Sequence, residues 1–342
     1  MNRNVKLVDV TLRDGSHAMS HSFTKEQAVR IARGLDEAGV EVIEISHGDG
    51  LGGSSMNYGF SAVSEMELIR VASRVIKKAK LGALLIPGIG TIKDMEEAYD
   101  HGVRVLRVAT HVTEADVAIE HMKAAKQKGM FAAGFLMMVH MAEPEKILEQ
   151  AKIFEAAGAD YVNLADSAGH LTTDEVKERI SLLVEKLSIP VGFHAHNNLG
   201  LAVANSMAAV EEGASYIDGS LRGLGAGAGN TQIEVLQAVL QRCGRESGAD
   251  LEKLSETAEE EAAPVMHYPQ IIDETSLMLG YYGVYSSFLL HAKRASERFG
   301  VKTRDILAEL GKRKMVGGQE DMIVDVAYEL AHKKKRFSAE SR

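Results

Sequence analysis

Eight short runs rich in β-branched and aliphatic residues recur through the first 220 residues of this 342-residue chain, and between them apolar residues return at helical spacing. That alternation constrains the fold more than any other feature. The runs cover residues 7–12, 40–45, 82–86, 103–109, 132–138, 161–165, 191–196 and 216–220. Their starts lie roughly 20 to 40 residues apart, room for one crossover helix each, and crossover helices are what parallel strands require. Eight such units close into a (β/α)8 TIM barrel of the α/β class. An open doubly wound sheet would carry a glycine fingerprint after its first strand, but the chain there reads Thr11-Leu12-Arg13-Asp14-Gly15.

Helix boundaries follow the same plan. Thr24 with Gln27 three residues on forms a capping box. Gly39, Gly102, Gly129, Gly158 and Gly213 each follow a helical stretch, where a left-handed residue is wanted. After about Gly244 the strand-like runs stop, and residues 250–262, 286–299, 303–310 and 319–332 have helical patterns. The expected organisation is a catalytic barrel over 1–245 and a helical C-terminal domain over 246–342, which could contact a partner or a second copy of the chain. Lys333-Lys334-Lys335-Arg336 suits a solvated helix C-terminus.

Composition narrows the classes of function. With 39 Lys and Arg against 48 Asp and Glu, the net charge of −9 argues against nucleic acid as a partner. Hydrophobic residues at 45% and charged residues at 25% match a folded globular chain. The single Cys243 cannot form an internal disulfide, which fits a reducing, cytoplasmic setting. Met1-Asn2-Arg3-Asn4 leads directly into a strand-like run, leaving no signal-peptide core, and no stretch of 18 apolar residues is present to span a membrane.

In a TIM barrel the active site lies where the strands end. The first run ends in Arg13-Asp14, with His17 three residues later, and the seventh ends His194-Ala195-His196-Asn197. Residues two apart on a strand share a face, so His194 and His196 can reach one ion from one side while Asp14 approaches from another strand. Two imidazoles and a carboxylate leave coordination positions open for substrate. Zinc suits the imidazoles, manganese or magnesium suits the oxygen ligands, and the same set occurs in iron oxygenases. Each feature also has a structural reading: a polar strand end for the histidines, a turn cap for Asp14, an ion pair for Arg13. Arg13 is otherwise placed to stabilise an enolate or alkoxide oxygen. His17 and His21 are both candidates for a general base, and spacing does not choose between them. Two glycine-rich loops, His47-Gly48-Asp49-Gly50-Leu51-Gly52-Gly53-Ser54-Ser55 and Gly223-Leu224-Gly225-Ala226-Gly227-Ala228-Gly229-Asn230, follow the second and eighth runs. The first suits a connector or lid. In the second, the glycines could let backbone N–H groups converge on an anion or make a flexible connector, and Asn230 can cap the next helix. Ser167, after Asp166, could donate to a substrate carboxylate or cap a helix.

At these residues the chain resembles the 4-hydroxy-2-oxovalerate aldolases, within the wider group of barrel metal-dependent lyases that includes hydroxymethylglutaryl lyase and isopropylmalate synthase. The likeness covers nearly the whole chain. It rests on Asp9-Val10-Thr11-Leu12-Arg13-Asp14-Gly15 with His17, both glycine-rich loops, Leu85-Ile86-Pro87-Gly88-Ile89-Gly90-Thr91, Ala109-Thr110-His111 and Asp166-Ser167-Ala168-Gly169. Gly283-Val284-Tyr285-Ser286-Ser287-Phe288-Leu289 and Met315-Val316-Gly317-Gly318-Gln319-Glu320-Asp321 narrow it from the wider group to the aldolases.

The resemblance implies a divalent metal, usually manganese, held by Asp14, His194 and His196. It also implies Arg13 on the enolate, His17 as the base, and Arg13, Asp14, Ser167, His194 and Tyr285 around the substrate, with Tyr281 and Tyr282 as neighbours that could replace Tyr285. The implied reaction is retro-aldol cleavage of a small 2-oxo acid, 4-hydroxy-2-oxopentanoate, to pyruvate and acetaldehyde, in aromatic hydrocarbon catabolism. An acylating acetaldehyde dehydrogenase would be the partner that receives the aldehyde. Asn197 stands where the family pattern has His, but that position should face away from the metal. The alternatives are a Claisen-type acyl transferase of the same wider group, an iron oxygenase, and a non-catalytic scaffold subunit.

Overall fold

A computed structural model describes residues 5–340, with side chains through Lys333. The expectations for residues 1–4 and for the side chains of Lys334, Lys335 and Arg336 lie outside the described residues. Among the described residues, eight parallel strands form a closed barrel in sequence order: β1 (Lys6–Asp9), β2 (Val42–Glu44), β3 (Lys80–Leu85), β4 (Val105–His111), β5 (Phe131–Met137), β6 (Tyr161–Asp166), β7 (Val191–Ala195) and β8 (Tyr216–Gly219). Closure is direct, with Lys6 to Asp9 in register with Tyr216 to Gly219. A short α1 (Gly15–Ala18) follows β1 at the barrel mouth, and the outer layer is α2 (Lys25–Glu37), α3 (Glu65–Ala72), α4 (Ile92–Asp100), α5 (Ile119–Gln127), α6 (Pro144–Ala156), α7 (Thr173–Lys186), α8 (Ala202–Glu211) and α9 (Ile233–Arg242).

Local chemistry accounts for these elements. Thr24 Oγ1 accepts from Gln27 N at 3.2 Å while Gln27 Oε1 accepts from Thr24 N at 2.9 Å, closing the expected capping box. Helix α2 then buries Ala28, Ile31, Ala32 and Leu35 against the barrel. Gly39, Gly102, Gly129, Gly158 and Gly213 all take positive φ after their helices, as expected.

The barrel interior is layered by the two-residue period of its strands. At one end Val8, Val42, Val105, Tyr161 and Tyr216 form an apolar layer in which the two tyrosine rings stack at 4.1 Å. Two residues further along β2, β4 and β8 stand Glu44, Arg107 and Asp218, a charged layer that is fully buried. Beyond it Leu84, Ala109, Phe135 and Ala165 line the end toward the strand C-termini.

The C-terminal part contains α10 (Leu251–Thr257), α11 (Glu274–Tyr282), α12 (Phe288–Phe299), α13 (Thr303–Lys312) and α14 (Met322–Glu340). Helix α10 and the helical turn after it pack on α2: Leu254 of the helix and Ala258 and Ala262 of the turn share the barrel's hydrophobic cluster, and Asp250 N donates to Ala38 O at 2.8 Å. A separate core begins only at Leu279 and gathers Phe288, Ile306, Leu310, Ile323 and Val326. Packing therefore groups residues 246–266 with the barrel rather than with the helices that follow. Helix α11 has no counterpart in the sequence expectation, because Leu277 to Tyr282 is a near-continuous apolar run without helical periodicity. Its local signals are Asp273, whose carboxylate accepts from Ser276 N at 2.7 Å as the N-cap, and Gly283, which ends it at positive φ. Among the described residues no helix is long and apolar enough to cross a membrane.

Candidate active site

Strand β7 ends by turning His194 and His196 to one face, while Ala195 between them points into the surrounding core. Asp14 sits in the turn after β1. One ligand atom from each of Asp14, His194 and His196 falls within 4.8 Å of the others, and all three residues are buried. The two Nε2 atoms face each other at 3.3 Å, and Asp14 Oδ2 lies 3.9 Å from His196 Nε2.

The neighbours of these residues determine what that pocket can hold. His196 Nδ1 lies 3.2 Å from Ala226 O, which only accepts, so Nδ1 carries the proton. His194 Nδ1 lies 2.9 Å from Asp218 Oδ2. Burial pushes the Asp218 carboxyl up, but Arg107 and His194 hold it below its ordinary value, so it stays an anionic acceptor and His194 Nδ1 is the donor. Burial also pushes His196 down to about 4, so it is neutral near pH 7. His196 therefore turns its Nε2 lone pair toward His194 Nε2. Asp14 adds negative charge: burial raises its pKa, but His196, Arg13 and His17 outweigh that and hold it well below the carboxylate range. Two imidazole nitrogens and a carboxylate converging within 4.8 Å of one another fit a divalent cation.

Asp14 is held on both oxygens. Oδ1 accepts from Arg13 Nη1 at 2.8 Å, and Oδ2 accepts from Asn230 Nδ2 at 2.7 Å. The expectation that Asn230 caps α9 is corrected here: its amide is committed to Asp14 and to Leu224 O, and α9 starts without a side-chain cap at Gln232. A Cβ on Gly225 would lie 2.4 Å from Asn230 Nδ2 and 2.7 Å from Asp14 Oδ2, which explains a glycine in this loop. Gly225→Ala should leave the barrel folded yet weaken binding of a divalent cation, with Mn2+ as the probe, by roughly 10- to 100-fold. Electron paramagnetic resonance of free Mn2+ would measure this, and wild-type affinity would show that Asn230 does not hold Asp14 for the ion.

Arg13 spans two carboxylates, its Nε donating to Glu44 Oε1 at 2.5 Å, and its Nη2 is buried with no protein partner. His17 lies on α1, and its ring fits because Gly48 lacks a side chain: a Cβ there would stand 2.5 Å from His17 Nε2. His17, His21 and Asp49 also form a close group, with ligand atoms within 4.8 Å. His21 is engaged elsewhere. Its Nδ1 lies 3.0 Å from Ser16 Oγ, its ring stacks on His47 at 3.8 Å, and burial drives it down to about 2. His47 Nδ1 accepts from Asp49 N at 3.1 Å, so the first glycine-rich loop is pinned at this point.

Two cavities meet at Asp49, Tyr58 and Glu320: one of about 100 Å³ lined by His17 and Ala226, and one of about 270 Å³ lined by Ala109, Met138 and Tyr285. Tyr285 lines this space, whereas Tyr281, which is exposed, and Tyr282 do not. Ser167 Oγ accepts from Met138 N at 3.1 Å, and its carbonyl accepts from Ser286 N at 3.1 Å. Asn197 does face away from the ligand set: its Oδ1 accepts from Ala202 N at the start of α8.

Residues 4–260 match the HMGL-like family model, and residues 270–332 match the model of the DmpG-like communication domain. The 4-hydroxy-2-oxovalerate aldolase of Moorella thermoacetica is 60% identical over 97% of this chain and 98% of its own length. That of Carboxydothermus hydrogenoformans is 59% identical over 98% of this chain and 100% of its own. The chain belongs to the 4-hydroxy-2-oxovalerate aldolase family. In fold, this family member also resembles the carboxyl transferase domain of Rhizobium etli pyruvate carboxylase, with a TM-score of 0.82 at 17% identity, covering 97% of this chain and 61% of that one.

Sequence reasoning missed Glu44, Arg107 and Asp218, the charged layer beneath the ligands. It also missed His140 and His170, which join this aldolase-family barrel to its C-terminal helices. His140 Nε2 donates to Gly283 O at 3.0 Å and His170 Nδ1 to Gly280 O at 2.6 Å, so two barrel loops hold the end of α11 just before Tyr285. Burial, reinforced by His170, lowers His140 from 6.5 to about 4. The unfolded chain therefore takes up this proton first, and the stability contributed by neutral His140 is full above pH 6.5 and lost as pH falls toward 4. His140→Gln removes that titration, so the gap in thermal midpoint between wild type and variant should narrow across this window. A gap independent of pH would contradict the buried neutral histidine.

Proposed function

We propose that this chain cleaves 4-hydroxy-2-oxopentanoate to pyruvate and acetaldehyde, with a divalent ion, Mn2+ by preference, held by Asp14, His194 and His196. The observation that carries the reading is the pair of Nε2 atoms 3.3 Å apart beside the Asp14 carboxylate. Identity of about 60% to proteins named 4-hydroxy-2-oxovalerate aldolase, over nearly the whole chain, makes it a lyase and favours the aldol over the Claisen reaction. When bound, the ion would act as a Lewis acid toward the 2-oxo acid.

The protein's own groups do the rest. His17 accepts the proton of the C4 hydroxyl, and His21, tied to Ser16 and stacked on His47, is the poorer base. The O–H electron pair forms the aldehyde carbonyl as the C3–C4 bond breaks, and that bonding pair becomes the pyruvate enolate. Arg13, whose Nη2 lacks a protein partner, donates to the developing enolate oxygen. The proton on His17 is then available to return to C3, which balances the reaction. Ser167 would donate to the substrate carboxylate by turning its hydroxyl hydrogen away from Ala165 O while still accepting from Met138 N, and Tyr285 would wall the carbon that bears the hydroxyl.

The communication-domain match over 270–332 supports an acylating acetaldehyde dehydrogenase as the partner. Size-exclusion chromatography of the mixed proteins would test this, a joint peak at micromolar concentration being expected and two unshifted peaks counting against a stable complex; the aldolase run alone reports whether it self-associates. The single Cys243 supports a cytoplasmic setting. For the reaction, pyruvate and acetaldehyde should appear in equal amounts from racemic substrate. Release of free CoA thiol from acetyl-CoA plus a 2-oxo acid, without pyruvate formation, would instead establish the acyl transferase.

A further inference from the structure

We infer that Arg107, which touches neither substrate nor ligand set directly, is a positioning residue that joins the enolate-binding arginine to the metal-ligating histidine. Its Nε donates to Glu44 Oε2, and the other oxygen of Glu44 accepts from Arg13 Nε at 2.5 Å. Its Nη1 donates to Asp218 Oδ2 at 2.6 Å, and the same oxygen accepts from His194 Nδ1 at 2.9 Å. One guanidinium on β4 thus fixes a carboxylate on β2 and another on β8, and each fixes one functional side chain. Phe135 closes the arrangement, with its ring 4.7 Å from the Arg107 guanidinium and 5.7 Å from the His194 ring. Arg107, Glu44 and Asp218 are each about 0–1% exposed, so water cannot replace a lost partner.

The need for arginine here is geometric. Two carboxylates on different strands require donors diverging from a rigid plane, which guanidinium supplies and a single ammonium does not. A lysine at this position would keep the charge and satisfy one carboxylate. The other would lose its arginine partner and keep only Arg13 or His194, free to turn and carry that side chain out of place. Partners at this remove from a metal typically change affinity or activity by roughly 10- to 100-fold.

The inference rests on the aldolase reading, and the experiment separates the two. Mn2+ affinity of Arg107→Lys is measured by electron paramagnetic resonance, and kcat and KM by pyruvate release. Affinity and kcat should each fall roughly 10-fold or more. In the Arg107→Lys background, Asp218→Asn should cost little further affinity, because the two changes break one chain. If Arg107→Lys fails to fold, the cycle of Glu44→Gln and Asp218→Asn carries the test, the double variant losing less than the product of the two single fold-changes. Wild-type affinity and kcat in Arg107→Lys, or fully multiplicative losses in either cycle, would overturn the inference while leaving the aldolase reading in place. A wild-type protein that binds no Mn2+ would overturn the metal reading, and this inference with it.

Discussion

Asp14→Asn should abolish Mn2+ binding and lower the rate of pyruvate formation by on the order of 1,000-fold, since a bound cation contributes several kcal/mol to the developing charge. The carboxylate supplies both the negative charge opposite two imidazoles and two acceptor oxygens, one for Arg13 Nη1 and one for Asn230 Nδ2. An amide offers one acceptor and, on the other side, a donor that faces another donor. Arg13 keeps Glu44 as its partner, so the barrel should remain folded. Circular dichroism confirms the fold and resonance titration reads the ion. A variant that still binds Mn2+ with wild-type affinity would remove Asp14 from the ligand set.

His17→Ala should behave in the opposite way, losing roughly 100- to 10,000-fold in kcat while retaining the ion. His17 is not among the three converging ligands, and its ring occupies the space that Gly48 leaves open beside Asp49. His21→Ala, by comparison, should act through the His47 stack and Ser16 and cost less. Equal activity of His17→Ala and wild type would take His17 out of the mechanism. A loss in both activity and Mn2+ affinity would place it among the metal ligands instead.

Much of this site was legible because a barrel brings strand ends together. Once the eight runs were counted, Asp14 after the first and His194 and His196 on the seventh had to meet at one mouth, and they do. What lay beneath was hidden by the same runs. Val105-Leu106-Arg107-Val108-Ala109 looks like one apolar strand with a stray charge, yet its period of two aims Val105, Arg107 and Ala109 into the barrel in successive layers. Glu44 after Val42 and Asp218 after Tyr216 repeat that step, and their pairing could be inferred only once the strands were placed side by side.

Other features depended on distant contacts. Nothing local to Asn230 distinguishes a helix cap from a clamp on Asp14, because Asp14 is 216 residues away in sequence. Likewise the choice among Tyr281, Tyr282 and Tyr285 follows from how α11 ends at Gly283, held by His140 and His170 from two barrel loops. The aldolase assignment itself drew on motifs along the whole chain, whereas the ligand trio alone would have stopped at a metal-dependent barrel.

The central claim is that the ion held by Asp14, His194 and His196 is required for carbon–carbon cleavage. Its most direct test is pyruvate release from racemic 4-hydroxy-2-oxopentanoate, coupled to lactate dehydrogenase, using chelated enzyme and then enzyme restored with Mn2+, Mg2+, Zn2+ or Fe2+. The account predicts no pyruvate after chelation and recovery on adding metal, with Mn2+ the most effective. Folded protein that releases no pyruvate with any of the four ions, or that releases it equally after complete chelation, would contradict it.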